Sequence, residues 1–457
     1  MPQNKGATIS VSIAAWMEVI VICGSWWNVL IGKLNFIEIA PGLMIDQMSA
    51  QFCLLTAFIV ASALTHAHTF FQYEAVSAHP PELGQLRQFY VLSAFFLLIT
   101  LCMFACDNLG YLWIAIELTT LVTAGLVYYS RTKHALEATW KYFLICSVGI
   151  AFSLLGTIFI FSSSQQEFTA GTLNISQLIN LAPTLDGPLF KLGFIFCYVG
   201  YGTKAGIFPL HSWLPDAHSE APAPASAMLS GVLLNCPLFA LWRLSTVANH
   251  SNLLRHSLDL CVWGGALTVL AAAIFLVRQN GLKRLWAYSS IENVGIMLLA
   301  IGLCSPILFF LQAINHSLIK ASLFLLSGDL IHFSGTKQLK EMKGMLQSQP
   351  ITASLFAVAA LASTGAPPFG AFISEWFILA TAIGQCHIVP ALLTLLGLTL
   401  AFVAICAHVG PIIVGSNNSK VAQTSTVFAA LVPALLLILS LACGCLAFPI
   451  GSIGGAQ

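Results

Sequence analysis

Six ionisable side chains set deep in apolar stretches carry the chemistry that this sequence offers. Lys204 lies in Gly200-Tyr-Gly-Thr-Lys-Ala-Gly-Ile-Phe-Pro-Leu-His-Ser-Trp-Leu-Pro-Asp-Ala-His218, an apolar run that Pro209 interrupts. An ionisable group inside a membrane span costs a few kcal/mol or more, and a broken helix frees backbone groups that need partners in protein or water. The two occur together mainly along an ion path. Glu117 stands about ten residues into its own apolar run, and Glu292 about nine into another. His316 and Lys320 are four apart on one helix face, and Glu375 follows the break Gly365-Ala-Pro-Pro-Phe-Gly370. A single polar residue in a span is usually a contact that glues two helices together. Acids and bases gathered near one depth suit proton transfer instead. His211 and His218 flank Trp213, Pro215 and Asp216 on the far arm of the broken run. An imidazole there either feeds protons to Lys204 or serves structure, and the spacing leaves both open.

The elements that must hold these residues are read from composition. The chain has 457 residues, 58% hydrophobic and 8% charged, with a mean hydropathy of +0.87, against roughly 25% charged residues in a soluble domain. This predicts an all-α polytopic membrane protein. Apolar runs that approach or exceed the roughly 20 residues of a bilayer crossing fall near 8–32, 47–71, 88–105, 107–129, 136–162, 189–218, 222–247, 258–277, 283–303, 306–333, 351–386, 389–414 and 424–450, about thirteen spans. With these spans Lys5, Arg87, Arg131, Lys133, Lys141, Arg278, Lys283, Arg284, Lys337, Lys340, Lys343 and Lys420 fall on one side, and Lys33, Lys191, Arg243 and Arg255 on the other. The positive-inside rule then predicts a cytoplasmic N-terminus and an external C-terminus in the inner (plasma) membrane. No short apolar segment with a cleavage site precedes the first run, so the N-terminus is expected to be retained. Loops at 72–87, 163–188 and 334–350 are too short for a soluble domain, and a single transmembrane domain over 1–457 is expected. A glutamate followed by a broken run occurs twice, Glu117 with Lys204 after 87 residues and Glu292 with Glu375 after 83. Residues 88–247 and 258–414 therefore read as two five-span repeats, inverted because five is odd.

Several functions are disfavoured. A formal net charge of +1 offers no basic surface for nucleic acid. The 13 cysteines are scattered, and Cys443-Gly-Cys445 has no ligand partners at metal spacing, so no metal or Fe–S centre is expected. No Walker-type or dinucleotide glycine motif is present, and no cofactor is expected. No nucleophile, base and oxyanion donor converge in any loop, so the chain is not catalytic alone. Energy must come from a partner. Glu18 has no ionic partner nearby in the sequence and suits a face turned to another subunit, while Glu137 and Lys141 form an i,i+4 surface pair. Proton transfer would proceed by separation and recombination of Glu117 and Lys204, with His316, Lys320 and Glu375 carrying the charge along the midplane.

Thr203-Lys-Ala-Gly-Ile-Phe-Pro-Leu-His-Ser-Trp-Leu-Pro-Asp-Ala-His218, Leu285-Trp-Ala-Tyr-Ser-Ser-Ile-Glu-Asn-Val-Gly295 and His316-Ser-Leu-Ile-Lys-Ala-Ser-Leu-Phe324 carry a resemblance to a known family. The chain resembles the antiporter-like proton-translocating subunits shared by NADH:quinone oxidoreductase (complex I), membrane-bound hydrogenases and multi-subunit Na⁺/H⁺ (Mrp-type) antiporters. Within that family it looks most similar to subunits of hydrogenase-4-like complexes. The resemblance covers about residues 88–414. It implies a functional pair at Glu117 and Lys204, relay residues at His316, Lys320 and Glu375, other membrane subunits as partners, and a peripheral redox module that supplies energy. A proton-conducting subunit of an inorganic-carbon uptake complex and a Na⁺/H⁺ antiporter subunit are the alternatives. Two features depart from the pattern. Asn235 stands in Leu233-Leu-Asn235-Cys-Pro237 where a relay lysine is common, and the chain has about one span fewer than usual and no long lateral helix.

Overall fold

The computed structural model describes residues 5–75, 80–165, 170–252, 254–415 and 427–451. The chain runs through α1 (Lys5–Ser25), α2 (Trp27–Leu30), a hairpin of β1 (Phe36–Ala40) and β2 (Leu43–Asp46), α3 (Gln47–Glu74), α4 (Leu83–Phe104) and α5 (Leu109–Val127). Next come α6 (Lys133–Ser163), α7 (Ile175–Leu181), α8 (Gly187–Ala205), α9 (Trp213–Glu220), α10 (Ala223–Met228) and α11 (Asn235–Asn249). The remainder comprises α12 (Asp259–Leu276), α13 (Leu282–Gly302), α14 (Pro306–Ser334), α15 (Met345–Ser348), α16 (Pro350–Ser363), α17 (Gly370–Gly384), α18 (Ile388–Val414) and α19 (Val427–Gly451).

Among the described residues ten helical segments are long and apolar enough to cross a membrane. The expected all-α polytopic architecture is therefore present. Three of the apolar runs read from the sequence do not form single long helices. The first run becomes α1 and α2, the run at 189–218 divides into α8 and α9, and the run at 351–386 divides into α16 and α17. The hairpin is a small departure from the all-α reading. Pro41-Gly42 supplies its turn, with Gly42 at φ +79°, and the strands pair in antiparallel register from Phe36↔Asp46 to Ala40↔Leu43. It is fastened to the turn between α4 and α5 by Met44 N–H to Ala105 O at 2.7 Å and Asp107 N–H to Gly42 O at 2.9 Å.

Helix ends follow local capping chemistry. Asp46 accepts from Ser49 N–H at 2.8 Å to start α3, and Thr132 accepts from Ala135 N–H at 3.1 Å to start α6. Asp186 caps α8 by accepting from Leu189 N–H at 3.0 Å.

Ion pairs mark the two ends of the bundle. At one end Arg131 meets Glu82 at 3.5 Å, Lys141 meets Glu137 at 2.6 Å and Asp216 at 3.3 Å, Arg284 also binds Asp216, and Lys337 meets Glu220 at 3.7 Å. This is the basic face. At the other end Arg243 binds Asp46 at 2.5 Å. Of the basic residues used to sort the spans, Lys420 and the side chain of Lys5 lie outside the described residues.

The helices are graded in burial. α13 is enclosed from Leu285 to Gly302, whereas α6 and α18 turn many large apolar side chains outward, among them Leu144, Val148, Leu392 and Val403. A helix enclosed on all sides while its neighbours stay apolar outside fits a bundle in a lipid solvent.

Candidate functional site

The broken elements position the buried charges. Gly206, at φ +82°, ends α8 in the left-handed conformation that a glycine adopts without Cβ strain. Lys204 thus sits in the last turn of α8, where the helix dipole favours a cation. It is 0% exposed. Trp213 at the start of α9 donates through Nε1 to Thr203 O at 2.8 Å, closing the break beside the lysine.

Lys204 reaches α5 and not Glu117 itself. Its Nζ donates to Ile116 O at 2.6 Å and to the hydroxyl of Thr120. That hydroxyl is 3.4 Å from Glu117 Oε2, and Ser147 of α6 donates to Glu117 Oε1 at 2.8 Å. Glu117 is half-buried. The pair implied by the resemblance is therefore brought together through a bridging threonine.

The second buried lysine repeats the arrangement. Lys320 of α14 donates to Ser289 Oγ at 2.5 Å, and that hydroxyl is 3.4 Å from Glu292 Oε2 on the same α13. Lys320 lies 6.0 Å from the ring centre of Trp286 and within electrostatic reach of both Glu292 and Glu375. In each case a carboxylate and a hydroxyl three residues apart on one helix hold a lysine from another. The order of acid and hydroxyl is reversed between the two.

Glu375 is carried by α17 just beyond the break at 364–369. Gly365 there has φ +66°, and a Cβ on it would fall 2.1 Å from Glu375 Oε2. Only a residue without a side chain lets the carboxylate approach that backbone. A line of amides and a hydroxyl runs from α13 to α17. Gln312 Nε2 donates to Asn293 Oδ1 at 2.8 Å, and Ser374, next to Glu375, donates to Gln312 Oε1.

Between the two lysine centres lies a π-helical turn at Leu229–Leu233. Such a turn widens the backbone and leaves carbonyls free for side chains. His316 Nε2 pairs with Ser230 O at 3.1 Å, and Ser230 and Ser290 hydroxyls are 2.8 Å apart. Asn235 donates to Gly231 O and to Ser317 Oγ, both at 3.0 Å. Asn235 Oδ1 and His316 Nδ1 are buried with no hydrogen-bond partner among the described residues.

The two remaining histidines stand apart. His211 lies in the loop before α9, amid Phe208, Phe275 and Tyr288 at ring distances of 5.8, 5.4 and 6.0 Å. His218 stacks on Phe324 at 4.9 Å, with both ring nitrogens buried and without a hydrogen-bond partner among the described residues. Over α9 a polar cleft of about 190 Å³, lined by Glu137, Lys141, Asp216, Glu220 and Arg284, opens on the basic face.

Thr120, Ser147, Ser289, Gln312 and Ser374 were not legible as site residues. Spans rich in Ser and Thr give no sequence signal for which hydroxyl faces a charge, because most satisfy their own helix. Thr119, Thr123 and Ser327 all bond backbone carbonyls one turn back.

Comparisons with known proteins show the family and the fold. Residues 106–402 match the family model described as NADH:quinone oxidoreductase/Mrp antiporter, TM. The chain is 34% identical to the hydrogenase-4 component F homolog of Methylacidiphilum infernorum, over 81% of this chain and 80% of that one. It is 29% identical to NADH-quinone oxidoreductase subunit N of Desulforudis audaxviator, over 74% of this chain and 66% of that relative. Among solved structures it shares the fold of a chain of the archaeal membrane-bound sulfane sulfur reductase, with a TM-score of 0.84, 24% identity, and coverage of 97% of this chain and 90% of that one.

Proposed function

The chain belongs to the NADH:quinone oxidoreductase/Mrp antiporter transmembrane family, and from that premise we propose that it moves protons as an antiporter-like subunit of a multi-subunit membrane complex, driven by a peripheral redox module. The observation that carries this reading is the pair of buried lysines, each held through one hydroxyl to a carboxylate. In a low-dielectric interior a lysine without a nearby anion favours its neutral form, and a carboxylate close by favours the ammonium. A movement that draws Glu117 away from the Thr120 bridge releases the proton of Lys204. That proton passes by His316 and Lys320 to Glu375, and recombination of Glu117 with Lys204 reloads the lysine by way of His218 and His211. Asn235 does not titrate. It orients Ser317 and, through water, joins the two lysine centres.

The same reading extends to the topology. α8 with α9, and α16 with α17, each count as one interrupted crossing, which gives thirteen crossings with α1 and α19. The repeats are α4 to α11 and α12 to α18, in opposite orientations. The basic face is cytoplasmic, the N-terminus lies on it, and the C-terminus lies outside a bacterial-type inner membrane. Glu18 is exposed on α1, which suits contact with a neighbouring membrane subunit.

The test is proton uptake by vesicles carrying the assembled complex. Lys204→Ala stops uptake in this account. Lys204→Arg stops it nearly as well, because a guanidinium stays charged and cannot release a proton. Wild-type rates in an assembled Lys204→Arg complex would leave Lys204 a fixed countercharge and end its role as carrier.

A further inference from the structure

A third buried acid–base pair lies outside the chain of residues used above. His66 of α3 and Asp329 of α14 are each 1% exposed, and His66 Nε2 is 3.2 Å from Asp329 Oδ2. The remaining polar atom of each, His66 Nδ1 and Asp329 Oδ1, is buried without a hydrogen-bond partner among the described residues. So is Ser62 Oγ, one turn before His66 on the same face of α3. Leaving such an atom dry destabilises the fold. A pair serving only to pin α3 to α14 gains nothing from three bare atoms, whereas water needs such atoms in order to be held.

Position gives the cluster a direction. Asp329 is nine residues beyond Lys320, about 13 Å along α14 toward the basic face, and His66 is eight residues short of the basic-face end of α3 at Glu74. In the other direction α3 leads to the π-helical turn. Ile59, three residues before Ser62, lies against Gly231, whose Cβ position is 3.1 Å from Ile59 Cγ2 and 3.2 Å from Ser317 O. Gly231 O holds Asn235 Nδ2, and the bare Asn235 Oδ1 and His316 Nδ1 lie at that level. Bare buried polar atoms thus occur at the dyad, one turn on at Ser62, and again at the level of His316.

We propose that His66 and Asp329 form a proton-binding dyad that, with Ser62, loads His316 from the basic face along α3, through water held by their free atoms. A proton taken up at His66 Nδ1 makes the imidazolium. Its Nε2 proton passes to Asp329 Oδ2, leaving neutral imidazole and neutral carboxylic acid, and the acid gives its proton to water held by Ser62. The charge moves one step and leaves the imidazole with its hydrogen on Nδ1; loss of that proton to water and reprotonation of Nε2 from water restore the starting tautomer before the next uptake. This supplies, on the basic-face side of Asn235, a titrating group that the asparagine lacks. The proposal rests on the proton-conduction reading above.

The experiment uses the assembled complex in vesicles, with Lys204→Ala measured beside it. Asp329→Asn keeps the hydrogen bond from His66 but cannot accept the proton, and Ser62→Ala removes one hydroxyl from a helix that tolerates alanine. We expect Asp329→Asn to slow proton uptake at least tenfold and Ser62→Ala severalfold, with a solvent deuterium isotope effect larger than that of the unchanged complex. A structural pin would leave that isotope effect unchanged. Wild-type rates and isotope effects in both variants, while Lys204→Ala is inactive, would overturn the dyad alone. Full activity in Lys204→Ala as well would overturn the reading on which it rests.

Discussion

Thr120 is the residue on which the geometry of the first lysine centre turns. It receives Lys204 Nζ and lies 3.4 Å from Glu117 Oε2, so lysine and glutamate are joined without touching. Ser289 does the same for Lys320 and Glu292. A hydroxyl between a base and an acid both accepts and donates, so it passes a proton without carrying net charge. Thr120→Val keeps the shape and removes this function. A hydrogen bond to a charged group is worth about 1.5–3 kcal/mol, so Thr120→Val should slow proton uptake by roughly tenfold or more, and Thr120→Ser should restore most of the rate. Equal rates for Val and Thr would remove Thr120 from the path. The acids and bases of the two lysine centres were legible in the sequence, because an ionisable residue in an apolar run has little reason to be there but function. The bridging hydroxyls were not, since serine and threonine are at ease anywhere in a helix that offers them its own carbonyls.

At the scale of elements, the breaks were legible and the staples were not. Pro209 and the Gly365–Gly370 turn announce interruptions, and both occur where a buried charge sits. The hairpin at 36–46 was hidden inside what reads as an apolar connection, although Pro41-Gly42 is a turn signal. Its end supplies Asp46, which caps α3 and also binds Arg243 of α11 at 2.5 Å, while Arg243 Nη2 donates to Ser49 Oγ at 2.7 Å. Burial alone pushes the Asp46 carboxyl up, but the Arg243 guanidinium and the Ser49 N–H together hold it below its ordinary value. Asp46→Ala removes a cap worth about 1 kcal/mol and leaves a buried guanidinium without its anion, a loss of about 3–5 kcal/mol. Thermal unfolding of the detergent-solubilised complex should shift to lower temperature in this variant, with Asp46→Asn intermediate. An unchanged transition would mean that Arg243 finds another partner.

Taken whole, the molecule is an apolar bundle that encloses buried polar groups. The proposed path runs from Glu117 through Lys204, the π-helical turn, His316 and Lys320 to Glu292 and Glu375. Composition was enough to place the chain in a membrane, and side-sorting of basic residues identified the face where Arg131, Lys141, Arg284 and Lys337 meet their acids. The groups that lie between the two centres had no sequence signal, because they are backbone carbonyls of a π-turn and neutral amides with no charge signature. The account's central claim is that titration along this path moves protons through the assembled complex. The most direct measurement is proton uptake into vesicles by the complex carrying Glu117→Gln, a change that keeps volume and hydrogen bonding and removes only the titrating charge. The account predicts a complex with its full set of subunits and a rate lower by roughly two orders of magnitude; an intact Glu117→Gln complex that pumps at the wild-type rate would contradict it.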